Sequence, residues 1–105
     1  MSIVVRVSII RCKEENFAGL RDMIISTQTR LAPGIAKMPG LLHFYVGADE
    51  ATSSLTNVCL WSTLEIAKQL DSFQPMLDLG REFVAKGATF ERPIMNYTTL
   101  WELPR

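Results

Sequence analysis

Two stretches of the chain decide its fold: MPGLLHFYVG at residues 38–47 and NVCLWSTLEIA at residues 57–67. Each contains a run of apolar, β-branched and aromatic residues, which is typical of a strand. The second run continues into Ser62-x-x-Glu65, which has the form of a capping box at the start of a helix. The polar residues between the two runs predict a hairpin loop over residues 47–54. This region therefore predicts strand, loop, strand and helix.

The segment before these stretches predicts one strand and one helix. Ile3–Arg11 is rich in β-branched residues and fits a largely buried strand. Apolar residues then recur every three or four positions from Phe17 to Leu31, as on one face of a helix. Pro33-Gly34 is expected to stop or distort that helix.

The segment after the capped helix predicts a second helical part and a last strand. The helical region is expected to break near Phe73-Gln74 and to restart with Pro75 in its first turn, continuing to Gly87. Residues 92–103 alternate as in a strand. The order β-α-β-β-α-β is that of the ferredoxin-like α+β fold, with an antiparallel sheet and helices on one face. We expect one such domain over residues 1–105.

Composition and charge exclude several classes of protein. The 105 residues are 48% apolar, and 11 basic side chains balance 11 acidic ones, so no footprint for nucleic acid or an anionic membrane is visible. No apolar run approaches the length of a membrane span, and the N-terminal strand lacks the regions of a signal peptide, so we expect a cytoplasmic protein.

The two cysteines, Cys12 and Cys59, are not in a metal-type or redox-type spacing. We expect free buried thiols. We expect their strands to be parallel neighbours in which the two positions differ by about four residues, or about 13 Å, which is beyond the reach of a disulfide.

The predicted sheet has apolar side chains on both faces, but helices can cover only one of them. A second copy of the chain is the simplest cover for the other face, because closed twofold symmetry is the commonest assembly of soluble proteins. We therefore expect a homodimer.

The chain resembles the dimeric α/β-barrel superfamily, and most closely its antibiotic-biosynthesis-monooxygenase branch. The residues that carry this resemblance are Pro39-Gly40, Trp61, Glu65-x-Ala67 and the segment Phe90–Ile94. The haem-degrading subgroup is less similar. Its pattern has an asparagine on the first strand and a histidine on the helix after the third strand, and this sequence has neither residue at those places. Superfamily members catalyse different reactions, so the fold alone does not assign one.

The resemblance implies a catalytic pair, Asn57 and Trp61. These residues share a strand face at the i and i+4 positions, and they are similar to the pair that holds the oxygen of an aromatic substrate in the quinone-forming enzymes. The alternatives are that Trp61 fills the gap between strand and helix, and that Asn57 makes a core hydrogen bond or a contact with the partner subunit.

Further substrate-binding candidates are His43, Tyr45, Phe73, Met76, Arg81 and Tyr97. His43 and Tyr45 share a strand face, and the alternative for both is a position at the dimer interface. His43 is the only histidine in the sequence, so it is a candidate general base, but a structural hydrogen bond is the competing interpretation. Arg81 lies beside Gly80 on a helix that should cover the pocket, or is simply solvated. Phe73 and Tyr97 either belong to the core or wall a flat apolar cavity.

The sequence contains no metal-ligand constellation and no nucleotide fingerprint, so we expect neither a metal nor a cofactor. Two functions remain. The first is a cofactor-independent monooxygenase that acts on a small phenol-like or anthrone-like aromatic compound. The alternative is a non-catalytic dimer that binds a small molecule or serves as an interaction module.

Overall fold

A computed structural model describes residues 2–104 and has the predicted ferredoxin-like α+β fold. Five strands and four α-helices follow one another, with a 3-10 turn at Lys68–Ser72 between the third and fourth helix. The elements are β1 (Val4–Arg11), α1 (Glu14–Ser26), α2 (Gln28–Ala36), β2 (Leu41–Asp49), β3 (Ser54–Trp61), α3 (Leu64–Ala67), α4 (Gln74–Ala85), β4 (Thr89–Phe90) and β5 (Met95–Thr98).

The strands form one antiparallel sheet in the order β2-β3-β1, with β4 and β5 both pairing with the far side of β1. The predicted hairpin of β2 and β3 is confirmed, and its register pairs Val46 with Asn57 and Phe44 with Cys59. Because β1 lies between β3 and β5, its side chains meet neighbours from both flanks.

The helix-covered face of the sheet has two apolar clusters separated by a polar strip. On β1, Val4 belongs to one cluster and Ile10 to the other, while the buried Arg6 and Ser8 lie between them. Asn57 pairs with Ser8 across the strands and extends the strip onto β3. Polar groups are costly in such a position unless they are paired, so this strip is where a ligand site is expected.

The first helix differs from the prediction. The helical region breaks at Thr27, whose Oγ1 donates to the Ile24 carbonyl at 2.6 Å, and a separate helix α2 then runs through Pro33 instead of stopping there. Pro33 cannot donate to the carbonyl of the preceding turn, but this side of α2 is exposed, so water can satisfy that carbonyl.

The predicted capping box is wrong by one residue. Thr63, not Ser62, is the N-cap of α3, and its Oγ1 accepts a hydrogen bond from the Ile66 N–H at 3.1 Å. The extended backbone of Thr63 lets its hydroxyl reach that amide, as N-caps require. The predicted break before Gln74 is confirmed, and Pro75 lies in the first turn of α4.

The predicted last strand, residues 92–103, is too long. Only Met95–Thr98 pairs with β1, and a short separate strand, Thr89–Phe90, precedes it. The reason is where the neighbouring strand begins. β1 begins at Val4, the Thr99 N–H donates to the Ile3 carbonyl at 2.9 Å, and the described residues make no ladder pair beyond this bond. The side chains beyond it are largely exposed, including Leu100 at 94%.

Cys12 and Cys59 are both free thiols, but only Cys59 is buried, and the reason that we gave for their separation is wrong. Strands β1 and β3 are antiparallel, and Cys59 on β3 pairs with Arg6 on β1, which is six residues from Cys12 in the chain. That distance is about 20 Å at the usual strand rise. Within residues 2–104, no helix has the length and apolar character needed to cross a membrane.

Candidate functional site

The polar strip opens into a cavity of about 630 Å³ between β1, β3 and helix α4. Its walls combine apolar side chains with several charged and amide groups. The lining residues are Arg6, Ser8, Asn57, Leu70, Asp71, Met76, Leu77, Gly80, Arg81, Val84, Phe90, Arg92 and Ile94. A volume of this order suits a small organic molecule of several rings.

Asn57 stands in the wall of this cavity with an unsatisfied polar group. Its Oδ1 is buried and has no hydrogen-bond partner among the described residues. The cross-strand neighbour Ser8 is also buried and lines the same cavity. An orphaned amide oxygen costs about 1–3 kcal/mol in a folded protein, so a ligand that donates a hydrogen bond here would recover that free energy.

A second, smaller cavity of about 60 Å³ lies behind the first. The two share four wall residues, which are Asn57, Met76, Gly80 and Phe90. Apart from Thr27, the remaining walls of the small cavity are apolar side chains, including Ile10 and Phe83 of one cluster and Leu31 and Phe44 of the other. The amide of Asn57 therefore stands at the junction of a polar cavity and an apolar one.

Arg6 is a site residue that the sequence analysis missed. Its side chain is only 3% exposed, its Nη2 donates to Asp71 Oδ1 at 2.6 Å, and its Nε is buried without a partner among the described residues. The sequence signal for it was available. Arg6 lies on the same strand face as Val4 and Ile10, and a charged residue on the inner face of an alternating strand is rarely fully buried unless it is paired.

Met76 and Arg81 on α4 line the cavity, so the structure brings these two candidates together with Asn57. Gly80 lies between them in the chain, and a Cβ placed there would meet Phe90 Cζ at 3.8 Å. Arg81 Nη1 is 3.5 Å from Asp78 Oδ1 and largely exposed. Phe73 is not in the cavity walls, since its ring packs against Gly34 on α2.

Trp61 shares a strand face with Asn57, as predicted, but the structure does not bring it into either cavity. The side chain is fully buried in the cluster of Val4, Ile35 and Leu70. Its Nε1–H donates to Cys59 Sγ at 3.1 Å. Burial raises the pKa of the Cys59 thiol, which the hydrogen bond from Trp61 offsets only in part, so the sulfur is held in its neutral form.

His43, Tyr45 and Tyr97 lie on the opposite face of the sheet from Asn57. The register pairs His43 with Leu60 and Tyr45 with Val58, and it pairs Tyr97 with Val5. The rings of His43 and Tyr45 stack with centroids 5.7 Å apart. These three candidates therefore cannot act in the cavity beneath α4 of the same chain.

The carboxylates and thiols do not form a metal-binding cluster. In the part of the chain that the structure describes, no three His, Cys, Asp or Glu side chains converge. The charged groups at the cavity are three arginines and one aspartate, and this donor-rich set suits an anionic ligand rather than a cation.

Comparison with known proteins identifies the fold. No protein-family profile matches the chain, and no curated protein does either. Several solved structures, including the following three, align over nearly the whole length of the chain. SnoaB, a cofactor-independent oxygenase from Streptomyces nogalater, is 18% identical with a TM-score of 0.68, and the alignment covers 100% of both chains. A candidate antibiotic biosynthesis monooxygenase from Deinococcus radiodurans is 14% identical with a TM-score of 0.74, covering 97% of each chain.

The third structure is a monooxygenase from the ActVA-Orf6 gene of Streptomyces coelicolor, solved in complex with the ligand nanaomycin D. It is 11% identical with a TM-score of 0.66, covering 99% of this chain and 92% of that one. The chain has the fold of the antibiotic biosynthesis monooxygenases. At these identities the monooxygenase fold is shared, while the chemistry has to be argued from the cavity residues of this chain.

Proposed function

We propose that the protein is a cofactor-independent monooxygenase that oxidises a small phenol-like or anthrone-like aromatic compound in the cavity beneath α4. The observation that carries this proposal is the buried, unpartnered Oδ1 of Asn57 in the wall of a cavity of about 630 Å³. A phenolic or enolic hydroxyl supplies the donor that this oxygen lacks.

The reaction needs only the aromatic compound and dioxygen. In an anthrone, the central methylene group is oxidised to a carbonyl, one oxygen atom of O₂ enters the product, and the other leaves as water with the two methylene hydrogens. The substrate supplies all the electrons that reduce dioxygen. The protein has to favour the electron-rich enolate form of the substrate, because this form reacts with dioxygen.

The cavity residues suit that task. The Asn57 amide offers one acceptor and two donors, so it can hold the hydroxyl of the neutral compound and then the oxygen of the enolate. The guanidinium groups of Arg6, Arg81 and Arg92 surround the same space, and nearby cations lower the pKa of a bound acidic hydroxyl. Preorganised donors of this kind stabilise a developing oxyanion by about 3–4 kcal/mol.

The apolar walls would orient a flat ring and exclude water. The apolar side chains in these walls are Leu70, Met76, Leu77, Val84, Phe90 and Ile94. The neighbours agree with this assignment: SnoaB is described as a cofactor-independent oxygenase, and the Streptomyces coelicolor monooxygenase binds nanaomycin D. We carry these two descriptions over to this chain as part of the proposal.

The test compares wild type with Asn57→Leu, a nearly isosteric change that removes the amide. Oxygen consumption and quinone formation are followed with anthrone as substrate. We expect turnover to fall at least about tenfold, which is about 1.4 kcal/mol of transition-state stabilisation. Free energy of unfolding should rise by about 1 kcal/mol, because the substitution removes a buried unpaired oxygen.

Asn16→Leu is the matched control, because Asn16 is on α1 and does not line the cavity. This variant should keep wild-type turnover. If wild type consumes no oxygen with anthrone or related phenols, or if Asn57→Leu retains full turnover, the oxygenase proposal is wrong and the non-catalytic binding dimer is the better description.

A further inference from the structure

The cavity beneath α4 carries an excess of positive charge. Arg6, Arg81 and Arg92 line it, and Asp71 is the only acidic side chain in the same walls. The whole chain is neutral, with 11 basic and 11 acidic side chains, so this excess is local. Clustered arginines in a concave site are typical of recognition of carboxylates and other planar anions.

Arg6 is the buried member of this set, whereas Arg81 and Arg92 are exposed. A guanidinium group has five N–H donors, and burial of its charge is costly unless the donors are matched. At 3% exposure, Arg6 has one hydrogen bond, from Nη2 to Asp71, and its Nε is buried without a partner among residues 2–104. The unliganded protein therefore leaves a buried cation incompletely paired.

Asp71 is a poor permanent partner for this cation. Its side chain is 59% exposed, it belongs to the short 3-10 turn at Lys68–Ser72, and one oxygen, at 2.6 Å, makes the contact. An exposed carboxylate is hydrated and contributes little to stability. Replacing Asp71 by a ligand carboxylate as the partner of Arg6 therefore costs little free energy. A ligand carboxylate can also use two oxygens and pair with two N–H groups of an arginine at once.

We propose that the ligand of this cavity is an aromatic compound that carries a carboxylate, and that this carboxylate pairs with Arg6 in place of Asp71. Arg92, whose guanidinium carbon lies 5.6 Å from the centroid of the Phe90 ring, adds positive charge to the same cavity wall. With Asn57 accepting from a hydroxyl, the site selects a hydroxylated aromatic acid. This inference takes the cavity of the proposed function as the binding site but requires no turnover.

The experiment measures binding of two compounds of nearly the same shape, anthraquinone-2-carboxylate and anthraquinone-2-carboxamide, by isothermal titration calorimetry. Both are already oxidised, so neither depends on oxygenase activity. For wild type we expect the carboxylate to bind at least about tenfold more tightly than the amide. Asp71→Asn removes the internal competitor, so it should strengthen carboxylate binding about threefold or more and leave amide binding unchanged.

Two further variants complete the test. Arg6→Gln should abolish the preference for the carboxylate. Arg92→Gln should reduce this preference, and it provides a second test if Arg6→Gln does not fold. Arg21→Gln is the control, because Arg21 lies on α1 outside the cavity walls and pairs with Asp22. This variant should keep the wild-type preference.

Equal binding of the two compounds by wild type would overturn the inference, as would weaker carboxylate binding by Asp71→Asn. Failure of both compounds to bind would remove the cavity as a ligand site. Oxidation of neutral anthrone combined with equal binding of carboxylate and amide would leave the oxygenase proposal intact and overturn only the carboxylate assignment.

Discussion

The indole N–H of Trp61 donates a hydrogen bond to the Sγ of Cys59 at 3.1 Å, and both side chains are fully buried on the helix-covered face of the sheet. The two residues are two positions apart on β3, so their side chains lie on the same face of the sheet and pack in the same apolar cluster. This contact satisfies the polar end of the tryptophan inside the protein. It therefore assigns Trp61 to the core and leaves Asn57 as the strand residue available to a ligand.

Trp61→Phe should destabilise the protein without changing ligand binding. The smaller ring leaves a void and removes a donor to Cys59, which together cost about 1–3 kcal/mol. Urea unfolding measures this loss, and anthraquinone-2-carboxylate binding should stay within about twofold of wild type. A large loss of binding by a folded Trp61→Phe variant would restore the tryptophan to the ligand site.

The lack of a side chain at Gly80 should determine how much of the cavity beside Asn57 is open to a ligand. Gly80→Ala is expected to stabilise the protein by about 1 kcal/mol, because glycine is unfavourable inside a helix and the new Cβ makes only an ordinary contact with Phe90. Gly80→Leu should weaken anthraquinone-2-carboxylate binding at least about tenfold by filling the cavity.

Gly19 supplies the control for Gly80. It is also inside a helix, and a Cβ placed there has no neighbour within 4 Å. Gly19→Ala should give a similar gain in thermal stability, and Gly19→Leu should leave ligand binding unchanged. Unchanged binding by Gly80→Leu would place the ligand elsewhere.

Gly40 should tolerate no side chain. Its φ of +77° lies in the left-handed region, and a Cβ would stand 2.6 Å from Ser62 Oγ and 2.7 Å from Ile66 Cγ2. Gly40→Ala should therefore lower the free energy of unfolding by at least about 1–2 kcal/mol, the cost of the backbone conformation alone. Gly47→Ala is the control, since its Cβ would only touch Thr56 at 3.6 Å, and its effect should be small.

The ion pair between Arg30 on α2 and Glu82 on α4 should make stability depend on pH. The hydrogen bond from Arg30 lowers the pKa of the Glu82 carboxyl below its usual value. A lowered carboxylate pKa means that the contribution is present above the unfolded-state pKa and is lost as the pH falls through the folded-state pKa. Both side chains are half-exposed, so the effect is small and sensitive to salt.

Thermal unfolding of wild type and Glu82→Gln, measured from acid to neutral pH, tests this pH dependence of stability. The variant should melt below wild type at neutral pH, and the difference should vanish below the lowered pKa, where Glu82 is itself uncharged. Glu50→Gln, in the exposed β2–β3 turn, should show no such convergence. A constant difference at all pH values would mean that the Glu82 charge does not contribute.

We propose that the helix-free face of the sheet forms a homodimer interface. Tyr45, Tyr97 and Met95 are exposed on this face beside the β-branched side chains of β1. Burying apolar surface contributes about 25 cal/mol per Å². Light scattering should give twice the mass of one chain for wild type and one chain mass for Tyr45→Glu.

Ile25→Glu is the control for the dimer interface. Ile25 is an exposed apolar residue of helix α1, on the other side of the molecule. This variant should remain dimeric. A monomeric wild type at micromolar concentration would refute the interface.

Some of the fold could be predicted from the sequence because it depends on local patterns. The apolar and β-branched runs from Ile3 to Arg11 and from Leu55 to Trp61 placed two central strands correctly, and Pro75 marked the start of α4. The end of β5 could not be found in this way. Alternation continues to Leu103, but a strand ends where its neighbour ends, and β1 begins at Val4.

The candidate site was predicted less completely for the same reason. Asn57 was identified as an amide inside an apolar strand, and it does line the cavity. Arg6 and Asp71, which line the same cavity and pair with each other, are 65 residues apart in the chain, so no local pattern relates them. The three aromatic candidates His43, Tyr45 and Tyr97 were misplaced relative to Asn57, because their sheet face follows from strand register.

The sequence by itself determined the order of the main strands and helices and the need for an unusual environment around Asn57. These follow from periodicity and from the cost of burying polar groups. Only the tertiary structure decided that Trp61 is paired with Cys59, that Arg6 meets Asp71, and that a cavity lies between the sheet and α4. Such features depend on strand register and on which helix covers which strip of the sheet, and contacts between distant parts of the chain set both.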